Sequence, residues 1–408
     1  MHWNHEQRGC NRMHKHGNAW KIAAALACAL LLVVAAQPES LKAQRSGQGA
    51  QTSVRENCDT LFSQGLAAFD RAALQEAFDA MEQARACWLK KSGGKETAES
   101  ARALNYTGLI LSEAGQYQDA LDRYAGLLAV VQELFGEQSG DAAVIINNMG
   151  EAHRRLGNYQ LALDHFQRAL AIDLDVYGEQ SAAAARDYNN MGGVFKALGD
   201  VKKALELYEK TLEIDTAVLG ADHPDVGLDM SNIGVALLDL GDPHGALERF
   251  EKALALHLSL YGEDHPSVAL DYSNIGAARA RLALYPEAMD AFAKSLAIRI
   301  SVYGENHPDV AMTYENMGGA QQTAGDLTAA LGSFEKSLAI RKKSLGDKHP
   351  HTLNNVAMIG DIYLEKGDYA EALSRYFRNV NVRAMWNRKS RKFIPHFPDS
   401  GGDYRLAA

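Results

Sequence analysis

The sequence predicts an all-α solenoid of helix-turn-helix repeats, and three observations carry that expectation. The chain copies itself with a period of 42 residues, seven times from Gly93 to Trp386 without an insertion or deletion, in blocks starting at Gly93, Phe135, Tyr177, Leu219, Tyr261, Tyr303 and Leu345. A glycine column (Gly108, Gly150, Gly192, Gly234, Gly276, Gly318, Gly360) falls inside an apolar-periodic stretch that otherwise reads as helix. Twelve residues later comes an alanine column, from Ala120 to Ala372, and four beyond each alanine stands an aromatic: Tyr124, Phe166, Tyr208, Phe250, Phe292, Phe334 and Tyr376. A period of this length marks stacked supersecondary units, each contacting its neighbours, so 408 residues need no second core.

Ahead of the regular blocks, residues 57–92 read as a degenerate capping hairpin, with Gly65, Ala77 and Met81 near the expected columns after a one-residue offset. Terminal repeats are atypical because one face meets water. Within each block the first helix carries the recurrent glycine. Glycine costs a helix interior about 1 kcal/mol against alanine, so its return in every block calls for close approach of a second helix. That helix supplies the alanine and the ring at i, i+4, which form one buried face. Between them a turn glycine (Gly115, Gly157, Gly199, Gly241, Gly325, Gly367) suits a left-handed helix end. The fifth block has Ala283 there, and a different turn is expected. His223-Pro224, His265-Pro266, His307-Pro308 and His349-Pro350 precede the next first helices, where proline in the first turn loses no hydrogen bond.

This glycine, alanine and aromatic pattern resembles the tetratricopeptide repeat. The 42-residue length and the loops Gly262-Glu263-Asp264-His265-Pro266 and Gly304-Glu305-Asn306-His307-Pro308 are similar to the kinesin light chain subclass. The resemblance covers residues 93–386 and implies a right-handed superhelix whose first helices line a concave groove. It also implies a protein-protein interaction scaffold with no activity or cofactor of its own. The first 92 residues hold no long heptad segment of the kind kinesin light chains use to bind the motor heavy chain.

The N-terminus bears on the compartment. Arg8, Arg12, Lys15 and Lys21 precede an uncharged apolar run, residues 22–36, then a polar segment from Gln37. Fifteen residues are short for a membrane span and right for a signal-peptide core. Residues 1–36 therefore read as a signal peptide for secretion or periplasmic export, or as an uncleaved membrane anchor, and 37–56 as a polar linker. The whole chain carries a charge of −9, which argues against nucleic acid as a partner. Cleavage after Ala36 leaves −12. Only Cys58 and Cys87 then remain, placed nearly symmetrically about a turn near residue 72. They are expected to form a disulfide clipping the capping hairpin, as an oxidising compartment permits, or else to be two unrelated thiols.

Groove residues follow from the resemblance. One column of the first helices is Asn148, Asn190, Asn232, Asn274 and Asn316. Asparagine is a poor helix-interior residue, and repeated amides can donate and accept toward an extended peptide. The resemblance implies that use. The alternative is that the amides bridge neighbouring helices. Other columns are basic early (Arg102, Arg154, Arg155, Arg186, Lys196) and apolar later (Leu228, Val235, Leu238, Leu270, Ala277, Met312), which suggests an acidic peptide with an apolar anchor.

No phosphate-cradling glycine loop, H-E-x-x-H, C-x-x-C or G-x-S-x-G occurs. The His-Pro histidines lie 42 residues apart, too far to share a metal ion, and read as loop packing. No catalytic site, cofactor or metal is expected. Asn105-Tyr106-Thr107 is a glycosylation sequon inside a helix, where modification is not expected. The basic tail, residues 387–408, reads as a cover for the last hairpin or as a docking strip. The functional alternatives are an architectural spacer of a secreted or envelope assembly, using the outer surface, or a cytoplasmic kinesin light chain-like cargo adaptor if the leader is not a signal.

Overall fold

A recurrent glycine, from Gly65 to Gly360, marks where the two helices of each described hairpin meet. The computed structural model describes residues 49–379, 385–387 and 392–394. The signal-peptide or anchor segment lies outside them, as do most of the linker and tail. No described helix is long and apolar enough to cross a membrane. Contacts divide the chain between Pro266 and Ser267 into two compact units. The first holds five hairpins: α1 (Gly49–Asp70) with α2 (Leu74–Lys91), α3 (Ala98–Glu113) with α4 (Tyr117–Phe135), α5 (Gly140–Arg155) with α6 (Tyr159–Tyr177), α7 (Ala182–Ala197) with α8 (Val201–Leu219), and α9 (Pro224–Asp239) with α10 (Pro243–Tyr261). The second holds α11 (Pro266–Arg281), α12 (Tyr285–Tyr303), α13 (Pro308–Thr323), α14 (Leu327–Leu345), α15 (Pro350–Glu365) and α16 (Tyr369–Asn379), then a two-stranded ribbon. There β1 (Met385–Asn387) pairs antiparallel with β2 (Lys392–Ile394), Met385 opposite Ile394. The repeats of each unit form an all-α helical solenoid, and the ribbon follows the last of them.

Within a hairpin the recurrent glycine seats the ring of the second helix. A Cβ at Gly150 would lie 2.7 Å from Cε1 of Phe166, and one at Gly276 or Gly318 as close to Phe292 or Phe334. Phe166 is fully buried. It belongs to one cluster with Ala184, Ala185 and Val194 of α7 and Leu207 of α8, so the same ring that closes its own hairpin joins the next. In the capping hairpin Met81 replaces the ring: a Cβ at Gly65 would meet its Cε at 2.8 Å. The disulfide Cys58–Cys87, with Cα atoms 5.5 Å apart, ties α1 to α2. Phe62 lies 5.6 Å from Trp88 and edge-on to Tyr106 of α3 at 5.4 Å, which seats the cap on the first full repeat.

The tight turns share one geometry. Gly157 has φ +78°, its N–H donates to Arg154 O, and Asn158 N–H donates to His153 O, the two bonds of a left-handed helix stop. Ala283 turns in the same way, contrary to the different turn its side chain suggests. Its φ is +60°, and the bonds Ala283 N to Ala280 O and Leu284 N to Arg279 O are kept. Hydrogen bonding and packing on both sides thus hold an alanine where glycine is favoured. Ala283→Gly is expected to stabilise the chain by about 1 kcal/mol, the left-handed penalty of a Cβ, read as a higher denaturant midpoint.

Longer loops end in N-caps. Thr97, Ser139 and Ser181 cap the early first helices with their hydroxyls. In later blocks the histidine of His-Pro does this: Nδ1 of His223, His307 and His349 accepts from the backbone N–H two residues on at 3.2–3.3 Å. A neutral ring is needed to accept, and burial holds His307 below its ordinary pKa. Tyr303 stacks on His307 with centroids 4.4 Å apart.

Candidate functional site

The first helices of the first unit stand side by side, and their solvent-facing columns form the candidate face. The asparagines lie half-buried on it. Each reaches back to the helix before: Asn148 Nδ2 donates to Asn105 Oδ1 at 3.2 Å, Asn190 to Asn147 at 3.0 Å, and Asn232 to Asn189 at 3.0 Å. In the second unit Asn316 donates to Ser273 Oγ at 3.1 Å; Asn274 is half-buried at the same register of α11. The donors thus bridge neighbouring helices, which explains asparagine at a position helices disfavour. The sequence carried a sign of this: the column just before holds the acceptors, Asn105, Asn147, Asn189 and Ser273. Because Asn105 accepts a bond and Thr107 is fully buried with its hydroxyl on Leu104 O, the sequon is built into the helix packing.

The basic residues are on this face, but each meets a partner within the chain. Arg102 lies over the Phe62 ring, 4.8 Å from its centroid. Arg154 and Arg155 both grip Glu151, at 2.6 and 2.7 Å. Burial works to raise the Glu151 pKa, yet the hydrogen bonds and charges of the two arginines outweigh it and hold the carboxyl below its usual value. Arg186 turns to Asp173 at 2.8 Å and Asp187 at 3.4 Å, and Lys196 lies 3.8 Å from Asp239. Two arginines on one glutamate leave a net positive charge at the C-terminal end of α5, and Arg102 is exposed near the start of α3. At α9 the face turns apolar: Leu228 is 37% exposed, as are Leu270 and Met312 at equivalent positions of the second unit at 36%.

Gly193, on the same face one turn after Asn189, was not singled out in the sequence because it stands next to the packing glycine Gly192. The two differ in what a side chain would meet. A Cβ at Gly192 would lie 2.7 Å from the Tyr208 ring, whereas one at Gly193 would find only Tyr208 Oη at 3.8 Å. Gly193 therefore carries no side chain at the register where the neighbouring repeats hold Glu151 and Val235, and a side chain there would otherwise meet open space. Among the described residues no group of three or more His, Cys, Asp or Glu is placed to hold a metal.

The tetratricopeptide repeat family matches the chain in overlapping windows: 101–175, 141–217, 180–259, 228–301, 270–343 and 309–377. No curated protein matches its sequence. Similar solved structures include the apo form of the quorum sensor NprR from B. thuringiensis, with TM-score 0.58 and 15% identity over 81% of this chain and 90% of that one. A Rap protein complexed with Competence and Sporulation Factor has TM-score 0.52 and 12% identity over 79% and 96%. BtubC (BKLC) from P. vanneervenii has TM-score 0.46 and 20% identity over 62% and 93%. These are likenesses of fold. The family match runs through the repeats from 101 to 377, indicates no enzymatic family and fits an interaction scaffold: the chain belongs to the tetratricopeptide repeat family.

Proposed function

We propose that the first-helix face of the first unit holds an extended segment of a partner protein, carrying an acidic group and an apolar side chain, and performs no chemistry on it. The observation that supports this reading best is the row of oriented amides. Each Nδ2 carries two hydrogens, and the bond to the neighbouring helix takes one of them, leaving a half-buried amide with a second donor. The bridging role and a ligand-contacting role are therefore compatible, and amides already held in place lose little freedom on binding. The surplus positive charge at Glu151, Arg154 and Arg155 favours an acidic group, and exposed Leu228 favours an apolar one. The Rap protein with its bound Competence and Sporulation Factor is a case of this fold holding a partner. The Cys58–Cys87 bond supports export to an oxidising compartment, where the N-terminal segment would direct the chain.

Replacing the asparagines by alanine would disturb the helix bridges as well as any ligand, so the better probe is Gly193→Leu. It puts a side chain into the open space at Gly193, removes a helix-interior glycine that costs about 1 kcal/mol, and is expected to leave the thermal midpoint unchanged or raised. Affinity capture with the full repeat array should lose its partner in this variant. Capture of the same partner by wild type and variant would set the groove aside.

One observation favours the architectural reading. Leu134 and Phe135, Val176 and Tyr177, Val218, and Leu260 and Tyr261 are exposed at the ends of α4, α6, α8 and α10. Such a spaced apolar edge would suit assembly through the outer surface, and equal capture by the Gly193 variant would direct attention there.

A further inference from the structure

Four of the five buried aspartates among the described residues form two pairs across successive joints of the first unit. At the joint between α4 and α5 one apolar cluster holds Val131 and Ile145. One repeat on, the same two positions hold Asp173 and Asp187, between α6 and α7, and a further repeat on they hold Asp215 and Asp229, between α8 and α9. In the second unit Arg299 and Thr313 occupy them and bond at 2.8 Å. All four aspartates are at least nine-tenths buried. Arg186 bonds both carboxyls of the first pair, the members of each pair lie close enough to perturb each other, and Asp173 Oδ1, Asp187 Oδ2 and Asp229 Oδ2 lie buried without a donor. Two ionised carboxylates cannot hydrogen-bond to each other. A proton held between them can satisfy both.

We propose that these two joints are proton-gated: one carboxyl of each pair keeps a proton and donates it to its partner, closing the joint, and loss of that proton sets two buried carboxylates against each other and loosens it.

The surroundings differ between the pairs. Facing the first are Arg186 on α7, which bonds Asp173 and Asp187, Asn147 on α5, which donates to Asp187 Oδ1 at 2.5 Å, and Tyr177 on α6, with Asp141 of α5 beyond it. Facing the second are Asp225 on α9, itself 3.6 Å from the His223 cap, and, on the packed helix α10, His257, whose ring sits against Gly227. Burial raises Asp187 to about 7 despite Arg186. Burial, then the neighbouring acids, raises Asp229 to about 9 and Asp215 to about 6. A carboxyl raised in the folded state binds more protons folded than unfolded above about pH 4. Its stabilisation is therefore complete below about pH 4 and is lost steadily as pH climbs to the folded value, about 7 for Asp187 and about 9 for Asp229. The first joint also reaches the candidate face, since Asn147 donates to Asp187 and accepts from Asn190. The proposal itself does not depend on any ligand.

The test is calorimetric unfolding of the full chain between pH 6.5 and 9.5, beside the double variant Asp187→Asn, Asp229→Asn, in which an amide replaces each proton with a permanent donor. The wild-type midpoint should fall as pH rises, and the variant's should fall less. At pH 6.5, unfolding of the wild type should release about two more protons than the variant, about one per pair, measured from the dependence of unfolding heat on buffer ionisation heat. The histidine caps titrate alike in both chains and cancel in the difference. Equal slopes and equal proton release would overturn the proposal. Should the double variant not fold, Asp173→Asn, Asp215→Asn places the amide on the other partner, and proton release equal to the wild type's in that variant overturns it as well.

Discussion

Truncating Phe166 to alanine is expected to destabilise the chain by about 3–5 kcal/mol, the range for removing a buried ring from a packed core. The ring is fully buried and rests against the backbone of Gly150, where no side chain can move in to fill the hole. It also lies in the cluster that joins α6 to α7 and α8, so one substitution weakens both a hairpin and a joint. In a repeat array, stability is close to a sum of hairpin terms and nearest-neighbour terms. Loss of both at α5 to α7 should therefore split one cooperative transition into two, the hairpins N-terminal to the break melting apart from those after it. Chemical denaturation followed by circular dichroism, with hydrogen exchange resolved by helix, reads both the midpoint and the splitting. A single transition shifted by less than about 1 kcal/mol would mean that the glycine seat collapses onto the cavity, and that the ring column is less central to the fold than its burial implies.

That ring column was legible in the sequence because a solenoid prints each packing position seven times. Gly150 beside Phe166 is one event, but the same pair in every block can only be geometry. The same redundancy located the turns, and the one turn misread, at Ala283, shows its limit: a column reports what is usual, while the bonds to Ala280 and Arg279 decide what one copy does. The site was legible in part. Asparagines on the first helices were visible as a column, but their bond partners were not. Each donor reaches a residue 43 positions earlier, one more than the period, and a column-by-column reading compares only positions 42 apart. The buried aspartates were harder still. Asp173's column runs Val131, Asp173, Asp215, His257, Arg299, and Asp187's runs Ile145, Asp187, Asp229, Asp271, Thr313, so neither column alone announces a pair. Only their placement on opposite sides of a buried joint makes them a pair. Arg186 read as a free groove charge for the same reason, since its partners become neighbours only when α6 packs on α7.

Removing the disulfide, by Cys58→Ser with Cys87→Ser or by reduction, is expected to cost the capping hairpin about 3.5 kcal/mol. The bonded residues are 29 apart, and opening a loop of about 30 residues returns roughly that much chain entropy to the unfolded state. A terminal hairpin has a neighbour on one side only, so its loss need not propagate. Protection from hydrogen exchange should fall in α1 and α2, and a protease should cut near Ala72, where the cap turn already holds a φ of +56°. Protection in α5 to α10 should stay as it was. The stacking of Phe62 on Trp88 and Tyr106 opposes this fraying, and tilted or edge-on ring pairs contribute about 0.5–1.5 kcal/mol each beyond their burial, less together than the bond. If the reduced cap keeps its full protection, the aromatic cluster alone is sufficient, and the cysteine pair would no longer argue for an oxidising compartment. If protection falls in α1 and α2 and nowhere else, the cap depends on oxidation, and a reducing compartment would leave α3 as the first stable helix of the array.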